Sequence, residues 1–321
     1  MNSKNLINPG LLKFFNNEPP AGDVNAENLA QMHQIFVAQS KAFRDPNSDS
    51  VKVTRQIITG PAKTNLEVLI YHPEIPRGTP KPGILHMHGG GFVAGTAEMN
   101  EGFCKKMAKD LGAVVVSVDY RLATETAFPG PLEDCYSALL WMSREQKELG
   151  IDNNKLAITG ESAGGALAAQ LAFLVRDRKE VSITLQYLTH PMLDDRTGVT
   201  NDVSPLLGEF VWTRGSNQFG WSSFLGQLAG LGEVPYPAVP ARIENLQGLA
   251  PCHIVCGALD LLVIENLAYA QRLVSQGVPT EVHMYPGALH GFMSATLTDL
   301  AKNYFEERKQ VFQRAFASVA G

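Results

Sequence analysis

Residues 156–165, Leu156-Ala157-Ile158-Thr159-Gly160-Glu161-Ser162-Ala163-Gly164-Gly165, join a short apolar run to a serine enclosed by glycines. A stretch rich in alanine follows directly, so the sequence predicts a strand, a sharp turn at Ser162 and a helix. Such a turn strains the serine backbone and brings neighbouring chain so close that side chains beside it would clash. The hydroxyl is then exposed at the start of a helix, where the helix dipole favours developing negative charge. The pattern is typical of a catalytic nucleophile.

Strands and helices alternate on both sides of this turn. Residues 51–57 and 66–71 alternate apolar with polar side chains and predict an antiparallel opening pair. Six further apolar runs alternate with helical stretches, which is typical of a sheet covered by helices on both faces. We therefore expect an α/β fold with a mostly parallel, eight-stranded sheet. The later strands are predicted at 83–87, 113–118, 155–159, 182–188, 252–256 and 280–285, and the helices at 26–42, 101–111, 131–149, 163–175, 262–276 and 300–317.

One stretch interrupts the alternation. Residues 194–250 are rich in glycine and proline and carry several aromatic side chains. We interpret them as a helical cap insertion and residues 1–48 as an N-terminal cap segment, which leaves 49–193 and 251–321 for the main domain. The aromatic side chains of the insertion either line a hydrophobic pocket or only pack the cap onto the sheet.

Composition excludes several classes of protein. The chain has 321 residues, of which 45% are apolar and 18% charged, so it can bury a core and is not a disordered chain. The net charge is -5 and no block of lysine or arginine occurs, which argues against nucleic acid or an anionic membrane as partner. We expect no membrane span, because every apolar run is far shorter than roughly 18 residues. With no signal peptide visible, the expected location is cytoplasmic.

A glycine-rich motif, His88-Gly89-Gly90-Gly91-Phe92, follows the third predicted strand, 74 residues before Ser162. A run of glycines has no side chains to block the backbone, so several of its N–H groups can donate to one oxygen, as acyl transfer requires. Loss of one such donor lowers the rate by about 100- to 1,000-fold. Residues 89–94 also match a dinucleotide-binding G-x-G-x-x-A pattern, with Asp119 after the next strand. That alternative places the glycines after the wrong strand and leaves Ser162 unexplained.

With these motifs the chain resembles the hormone-sensitive-lipase-like esterases, bacterial family IV, of the α/β-hydrolase superfamily. The resemblance runs from about residue 50 to the end and also rests on residues 119–123, Phe128-Pro129 and Glu133-Asp134. It implies a serine carboxylesterase that hydrolyses short- to medium-chain esters, with a small-molecule ester as substrate and with no metal or organic cofactor. In this family the catalytic acid follows the seventh strand and the histidine follows the eighth.

The corresponding residues in this chain are Asp260 and His290. Each follows a predicted parallel strand, and the carboxyl ends of parallel strands meet in one crevice, which brings both residues to Ser162. The resemblance implies that Ser162 attacks the ester, His290 transfers the proton and Asp260 orients the imidazole. Leu261 stands where the family often has proline, so Glu265 is a second candidate for the acid.

The resemblance also implies an oxyanion hole. It consists of the N–H of Ala163 with N–H groups of the glycine loop, either Gly90 with Gly91 or Gly90 with Gly89. We expect His88 to support this loop by hydrogen bonding. A metal site is not expected, because His86 and His88 lack a third ligand nearby.

The remaining assignments concern the surroundings of the site. Phe92, Phe210 and Trp212 are candidates for the substrate pocket, since they suit an apolar acyl or alcohol group. Glu161 replaces the aspartate that often precedes the nucleophile, and we expect it to bond nearby backbone. We assign no function to His190, which is isolated in the sequence.

Two other functions use the same scaffold. The same three residues support amide or lactone hydrolysis and acyl transfer, and a ligand-binding receptor can be built on this fold. The presence of His290 in its motif argues against the receptor. The last predicted strand, 280–285, lies at a sheet edge that could pair with a second copy of the chain as a homodimer.

Overall fold

A central sheet of eight strands organises the protein, which we describe from a computed structural model covering residues 3–12, 22–42, 50–74 and 79–317. The strands are β1 (Val51–Thr59), β2 (Asn65–Pro73), β3 (Lys81–Met87), β4 (Val114–Asp119), β5 (Ile151–Glu161), β6 (Leu185–Thr189), β7 (Cys252–Gly257) and β8 (Thr280–Tyr285). Their order in the sheet is β1-β2-β4-β3-β5-β6-β7-β8. The pairs β1–β2 and β2–β4 are antiparallel and the others are parallel. The predicted α/β fold is confirmed.

Helices connect the strands and cover the sheet. They are α1 (Pro9–Leu12), α2 (Leu29–Ala42), α3 (Glu101–Leu111), α4 (Gly130–Arg144), α5 (Gln146–Leu149), α6 (Ala163–Arg178), α7 (Arg214–Leu225), α8 (Val263–Ser275) and α9 (Asp299–Ala317). The sequence predicts one helix over 131–149, but Glu145 leaves the helical conformation and divides it into α4 and α5. None of the helices in the described ranges is long and apolar enough to cross a membrane.

The sheet separates two hydrophobic cores. Successive side chains of a strand point to opposite faces, so Ile158 of β5 packs with α4, α6 and α8 whereas its neighbour Ala157 packs with α3 and α9. Strands covered on both faces bury side chains on both faces, which explains the apolar runs 114–116 of β4 and 156–158 of β5. The carboxyl ends of the parallel strands all reach the same edge, and the loops that follow β3, β5, β7 and β8 meet there.

The connection between β6 and β7 is long and carries α7 as its main helix. The side chain of Thr213 caps α7 by accepting a hydrogen bond from the N–H of Ser216, at 3.2 Å. The N-terminal segment reaches this connection, because the N–H of Val24 donates to Oγ of Ser216 at 2.9 Å.

Towards the C-terminus, β8 pairs with β7 and forms an edge of the sheet. Self-association through β8 stays a prediction.

Candidate active site

Ser162 lies at the turn between β5 and α6, as the sequence predicts. Its backbone has φ 56° and ψ −119°, a conformation that costs a non-glycine residue energy and that the surrounding structure must impose. The N–H of Ser162 donates to the carbonyl oxygen of Thr189 at 3.0 Å, and its own carbonyl accepts from Met192 at 3.1 Å. These bonds to the end of β6 hold the strained serine in place.

Glycine is required where α6 begins because the turn touches β3. A Cβ atom at Gly164 would lie 2.1 Å from the carbonyl oxygen of Met87, and one at Gly160 would lie 2.3 Å from the carbonyl oxygen of Gly164. Both neighbours are backbone atoms, which cannot rotate away as a side chain can. The glycines around Ser162 thus allow β3, β5 and α6 to come together at the serine.

His290 and Asp260 lie beside the serine in one hydrogen-bonded row. Nε2 of His290 is 3.0 Å from Oγ of Ser162, and Nδ1 of His290 is 2.8 Å from Oδ2 of Asp260. The other carboxylate oxygen of Asp260 accepts from the N–H of Leu262 at 3.0 Å, which orients the carboxylate. Asp260 is 1% and His290 7% exposed, so water does not compete for these bonds.

Glu265, the second candidate for the acid, is placed elsewhere. Its Oε1 accepts hydrogen bonds from the N–H groups of Leu193 at 2.6 Å and Asp194 at 3.3 Å. The side chain is buried, and this burial raises its pKa well above the usual value. Glu265 therefore supports the chain that follows β6, and the structure brings Asp260 to His290 instead.

The glycine loop follows β3 and passes close to the serine turn. A Cβ atom at Gly89 would lie 3.1 Å from the carbonyl oxygen of Glu161. The carbonyl of Gly90 accepts from Val93 and Ala94 at 3.1 and 3.0 Å, which folds the loop back on itself. Within the described ranges, the N–H groups of Gly89, Gly90, Gly91 and Ala163 donate to no protein acceptor. These N–H groups are available to an oxygen of a bound molecule.

His88 is fully enclosed beneath the loop. Its Nδ1 donates to the carbonyl of Gly89 at 2.7 Å, and its ring stacks on Tyr120 with 4.2 Å between centroids. The hydroxyl of Tyr120 in turn donates to the carbonyl of His88 at 2.8 Å. Burial lowers the pKa of His88 to about 4, so the imidazole is neutral at pH 7. These contacts are those of a residue that holds the loop in shape.

Glu161 has side-chain partners and not the backbone partners that we expect from the sequence. Its Oε2 lies 2.9 Å from Nε2 of His86 and accepts from Nδ2 of Asn100 at 2.7 Å. Burial opposes a charge on His86, but Cys104 and the Glu161 carboxylate together raise the His86 pKa to about 10. A buried carboxylate beside the serine is stable only when it is paired in this way.

Of the three candidate pocket residues, Trp212 lies beside His290, and the other two pack in the hydrophobic cores. The ring of Trp212 stacks near that of His290, with 6.1 Å between centroids. A Cβ atom added at Gly91 would lie only 2.3 Å from the Trp212 indole, so the indole covers this part of the glycine loop. Phe92 is fully buried and stacks on Phe224 with 4.1 Å between centroids, so its ring belongs to the core. Phe210 packs against the core on the other face of the sheet. The positions of Phe92 and Phe210 thus differ from those predicted.

His190, to which the sequence assigns no function, is a direct neighbour of His290. Their ring centroids are 4.2 Å apart, and His190 is 1% exposed. Burial and the nearby His290 lower the pKa of His190 well below its usual value. The sequence did hold one signal, since His190 directly follows the parallel strand β6 and side chains at such positions point into the crevice. His190, Asp260 and His290 could together hold a metal ion, with ligand atoms within 4.8 Å of one another.

Comparison with known proteins places these features in a family. A family model described as the alpha/beta hydrolase fold matches residues 84–294. Esterase LipI of Mycobacterium tuberculosis is 33% identical over 253 residues, 78% of each chain, and an ethyl acetate hydrolase of Pseudomonas putida is 32% identical over 240 residues, 71% of each chain. A bacterial heroin esterase of known structure superposes with a TM-score of 0.86 at 33% identity, covering 97% of this chain and 98% of the other. The chain belongs to the hormone-sensitive-lipase-like esterases of the α/β-hydrolase superfamily and is a carboxylic ester hydrolase.

Proposed function

We propose that this protein is a serine carboxylesterase that hydrolyses short- to medium-chain carboxylic esters through an acyl-enzyme on Ser162. The observation that carries the proposal is the row Ser162–His290–Asp260, with 3.0 Å from hydroxyl to imidazole and 2.8 Å from imidazole to carboxylate. A hydroxyl alone is a weak nucleophile, and an adjacent base that is itself oriented by a third group activates it.

In the first half of the reaction, Oγ of Ser162 attacks the ester carbonyl carbon while Nε2 of His290 accepts the hydroxyl proton. Asp260 keeps the imidazole in the tautomer that presents an unprotonated Nε2 and stabilises the imidazolium that forms. The imidazolium then donates the proton to the departing alcohol. In the second half, His290 accepts a proton from a water molecule that attacks the acyl-enzyme, and it returns this proton to Oγ of Ser162 as the acid leaves.

Negative charge develops on the ester carbonyl oxygen when the carbonyl carbon becomes tetrahedral. The glycine loop passes the serine at Gly89, where a Cβ atom would lie 3.6 Å from Cβ of Ser162. N–H groups of Ala163 and of this loop, Gly90 with Gly91 or Gly90 with Gly89, would donate to the carbonyl oxygen. His88 holds the loop through its bond to Gly89, so these donors are in position before the substrate binds. Preorganised donors need no rearrangement at the moment of reaction, which is the source of their effect on rate.

Two observations support the proposed preference for short to medium acyl chains. Trp212 lies over Gly91 and beside His290, where its indole would bound the space for an apolar group. The similarity to an ethyl acetate hydrolase points in the same direction. We further propose that residues 194–250 and the N-terminal segment 1–48, of which residues 1–2, 13–21 and 43–48 lie outside the described residues, form a cap over the serine.

Hydrolysis of p-nitrophenyl esters from acetate to laurate tests this proposal, with wild type, Ser162→Ala and the control Ser182→Ala compared side by side. We expect activity to peak at a short or medium chain and to fall roughly 10⁶-fold in kcat in Ser162→Ala. Ser182 is exposed, and its substitution should change neither rate nor chain preference. A fluorophosphonate should add its mass to the Ser162 peptide alone. Retained hydrolysis in a folded Ser162→Ala variant would refute the assignment.

A further inference from the structure

We propose that Zn²⁺ binds to His190, Asp260 and His290 and thereby switches the hydrolase off reversibly. The binding site stands on its own geometry, whereas the loss of activity rests on the proposed role of His290 as the catalytic base. The three side chains come from the ends of three parallel strands, His190 after β6, Asp260 after β7 and His290 after β8.

The distances suit a single small cation. One ligand atom from each of the three side chains lies within 4.8 Å of the other two. Zinc binds imidazole nitrogen and carboxylate oxygen at about 2.0–2.2 Å, so two ligand atoms of one tetrahedral ion are about 3.5 Å apart. A movement of less than about 1 Å by each side chain would therefore bring the three ligands onto one ion. Two imidazoles with one carboxylate are ligands that zinc accepts, and they leave a fourth position open for water.

An independent observation concerns a ring nitrogen of His190. Its Nδ1 is buried and, among the described residues, has no hydrogen-bond partner. Nearly all buried polar groups in proteins are hydrogen-bonded, and an exception calls for a missing partner. The His190 ring is tilted by 52° against His290 at a centroid distance of 4.2 Å, without a hydrogen bond between the two rings. A cation coordinated between the rings would provide the partner that this pair of imidazoles lacks.

Binding of the ion would block catalysis whichever nitrogen of His290 it occupies. Nε2 is the atom that faces Ser162, and Nδ1 is the atom that faces Asp260. An ion on Nε2 occupies the position that must receive the serine proton. An ion on Nδ1 replaces the proton shared with Asp260 and turns the carboxylate into a metal ligand. Removal of the ion restores the hydrogen-bonded row, so the inhibition is reversible.

Binding is measured first, with Co²⁺ as a spectroscopic substitute for Zn²⁺ and with untagged full-length protein. We expect wild type and Ser162→Ala to develop the visible absorption of tetrahedral Co²⁺ and to lose it when Zn²⁺ is added. His190→Asn should not develop it. Asparagine tolerates the positive φ of 35° at this position, so the backbone should be preserved. His253→Asn is the matched control, because His253 is also buried but pairs with Glu307. Its Co²⁺ spectrum should equal that of wild type.

Inhibition is measured next, as the Zn²⁺ concentration that halves ester hydrolysis. This concentration should rise by at least about tenfold in His190→Asn and stay unchanged in His253→Asn, and a chelator should restore full activity. If His190→Asn does not fold, Asp260→Asn tests the same site through loss of the Co²⁺ spectrum. Equal Zn²⁺ sensitivity of wild type and His190→Asn, or no tetrahedral Co²⁺ spectrum in wild type, would overturn the proposal. Because the spectrum needs no activity, hydrolysis that survives in Ser162→Ala would refute the proposed function and leave the metal site standing.

Discussion

Oδ2 of Asp260 lies 2.8 Å from Nδ1 of His290, whereas Glu265, only five positions further along the chain, bonds the backbone of Leu193 and Asp194. Both carboxylates follow β7 and both are buried. Their division of roles depends on where the turn after β7 ends and α8 begins. Asp260 is still in that turn and faces the histidine, whereas Glu265 is in the first turn of α8 and faces the loop after β6.

This difference predicts opposite outcomes for two isosteric substitutions. Asp260→Asn should lower kcat by about 10⁴-fold, because an amide favours the wrong tautomer of His290. Glu265→Gln should retain kcat within about tenfold, since burial already raises the pKa of Glu265 and an amide keeps the acceptor for Leu193. Steady-state kinetics on one p-nitrophenyl ester measures both. A larger loss of kcat in Glu265→Gln would return the acid role to Glu265.

Gly164→Ala should prevent the serine turn from forming. The new Cβ would lie 2.1 Å from the carbonyl oxygen of Met87, so β3 and α6 would have to separate, at a cost of about 3 kcal/mol or more in unfolding free energy. Gly150→Ala is the control, because no atom lies within 4 Å of a Cβ there and only the positive φ of 68° costs about 1 kcal/mol. Urea denaturation of the two variants should separate them clearly. Similar urea midpoints for Gly164→Ala and Gly150→Ala would show that the contact between residue 164 and Met87 is not tight.

Trp212→Ala should shift the preference toward longer acyl chains. The indole fills space next to Gly91 and His290, and its removal enlarges the space for an apolar group. The ratio of kcat/KM for the octanoate ester over the acetate ester should rise by about tenfold or more, the range that a few methylene contacts supply. Trp141→Ala, in α4, removes a partly buried indole that packs on the core and should leave the ratio unchanged. An unchanged ratio in Trp212→Ala would place the acyl group elsewhere.

His88 should make the protein less stable in acid. Burial lowers its pKa to about 4 in the folded protein, below its ordinary value of 6.5, so between these pH values the unfolded chain binds a proton that the folded protein does not. Stability is therefore lost as the pH falls from 6.5 to 4, by about 3 kcal/mol from this group. His88→Phe keeps the ring that stacks on Tyr120 and removes the titration. Unfolding free energies at pH 7 and pH 4 should show that the variant loses about 3 kcal/mol less than wild type. Equal losses of unfolding free energy in wild type and His88→Phe would contradict the low pKa of His88.

Much of the fold and part of the candidate site could be read from the chain itself. The alternation of apolar runs and helical stretches predicted the eight strands in their order along the chain, because burial on both faces demands continuous apolar strands. The turn at Ser162 and the loop at Gly89 to Gly91 were visible because close contacts there, with backbone or with the Trp212 indole, exclude side chains and leave glycine in the sequence. The family resemblance implied the order of serine, acid and histidine, and strands whose carboxyl ends meet at one edge are consistent with that order.

Only the tertiary structure decided which side chains meet. It separated Asp260 from Glu265, paired Glu161 with His86 and Asn100, and placed His190 against His290. It also buried Phe92 in the core and left Trp212 beside the histidine. The side-chain pattern that identifies a strand involves residues adjacent in the sequence, so it can be recognised without the tertiary structure. The direction of a side chain at a strand end depends on the turn that follows and on partners from distant strands, so its contacts are determined only when the sheet has assembled.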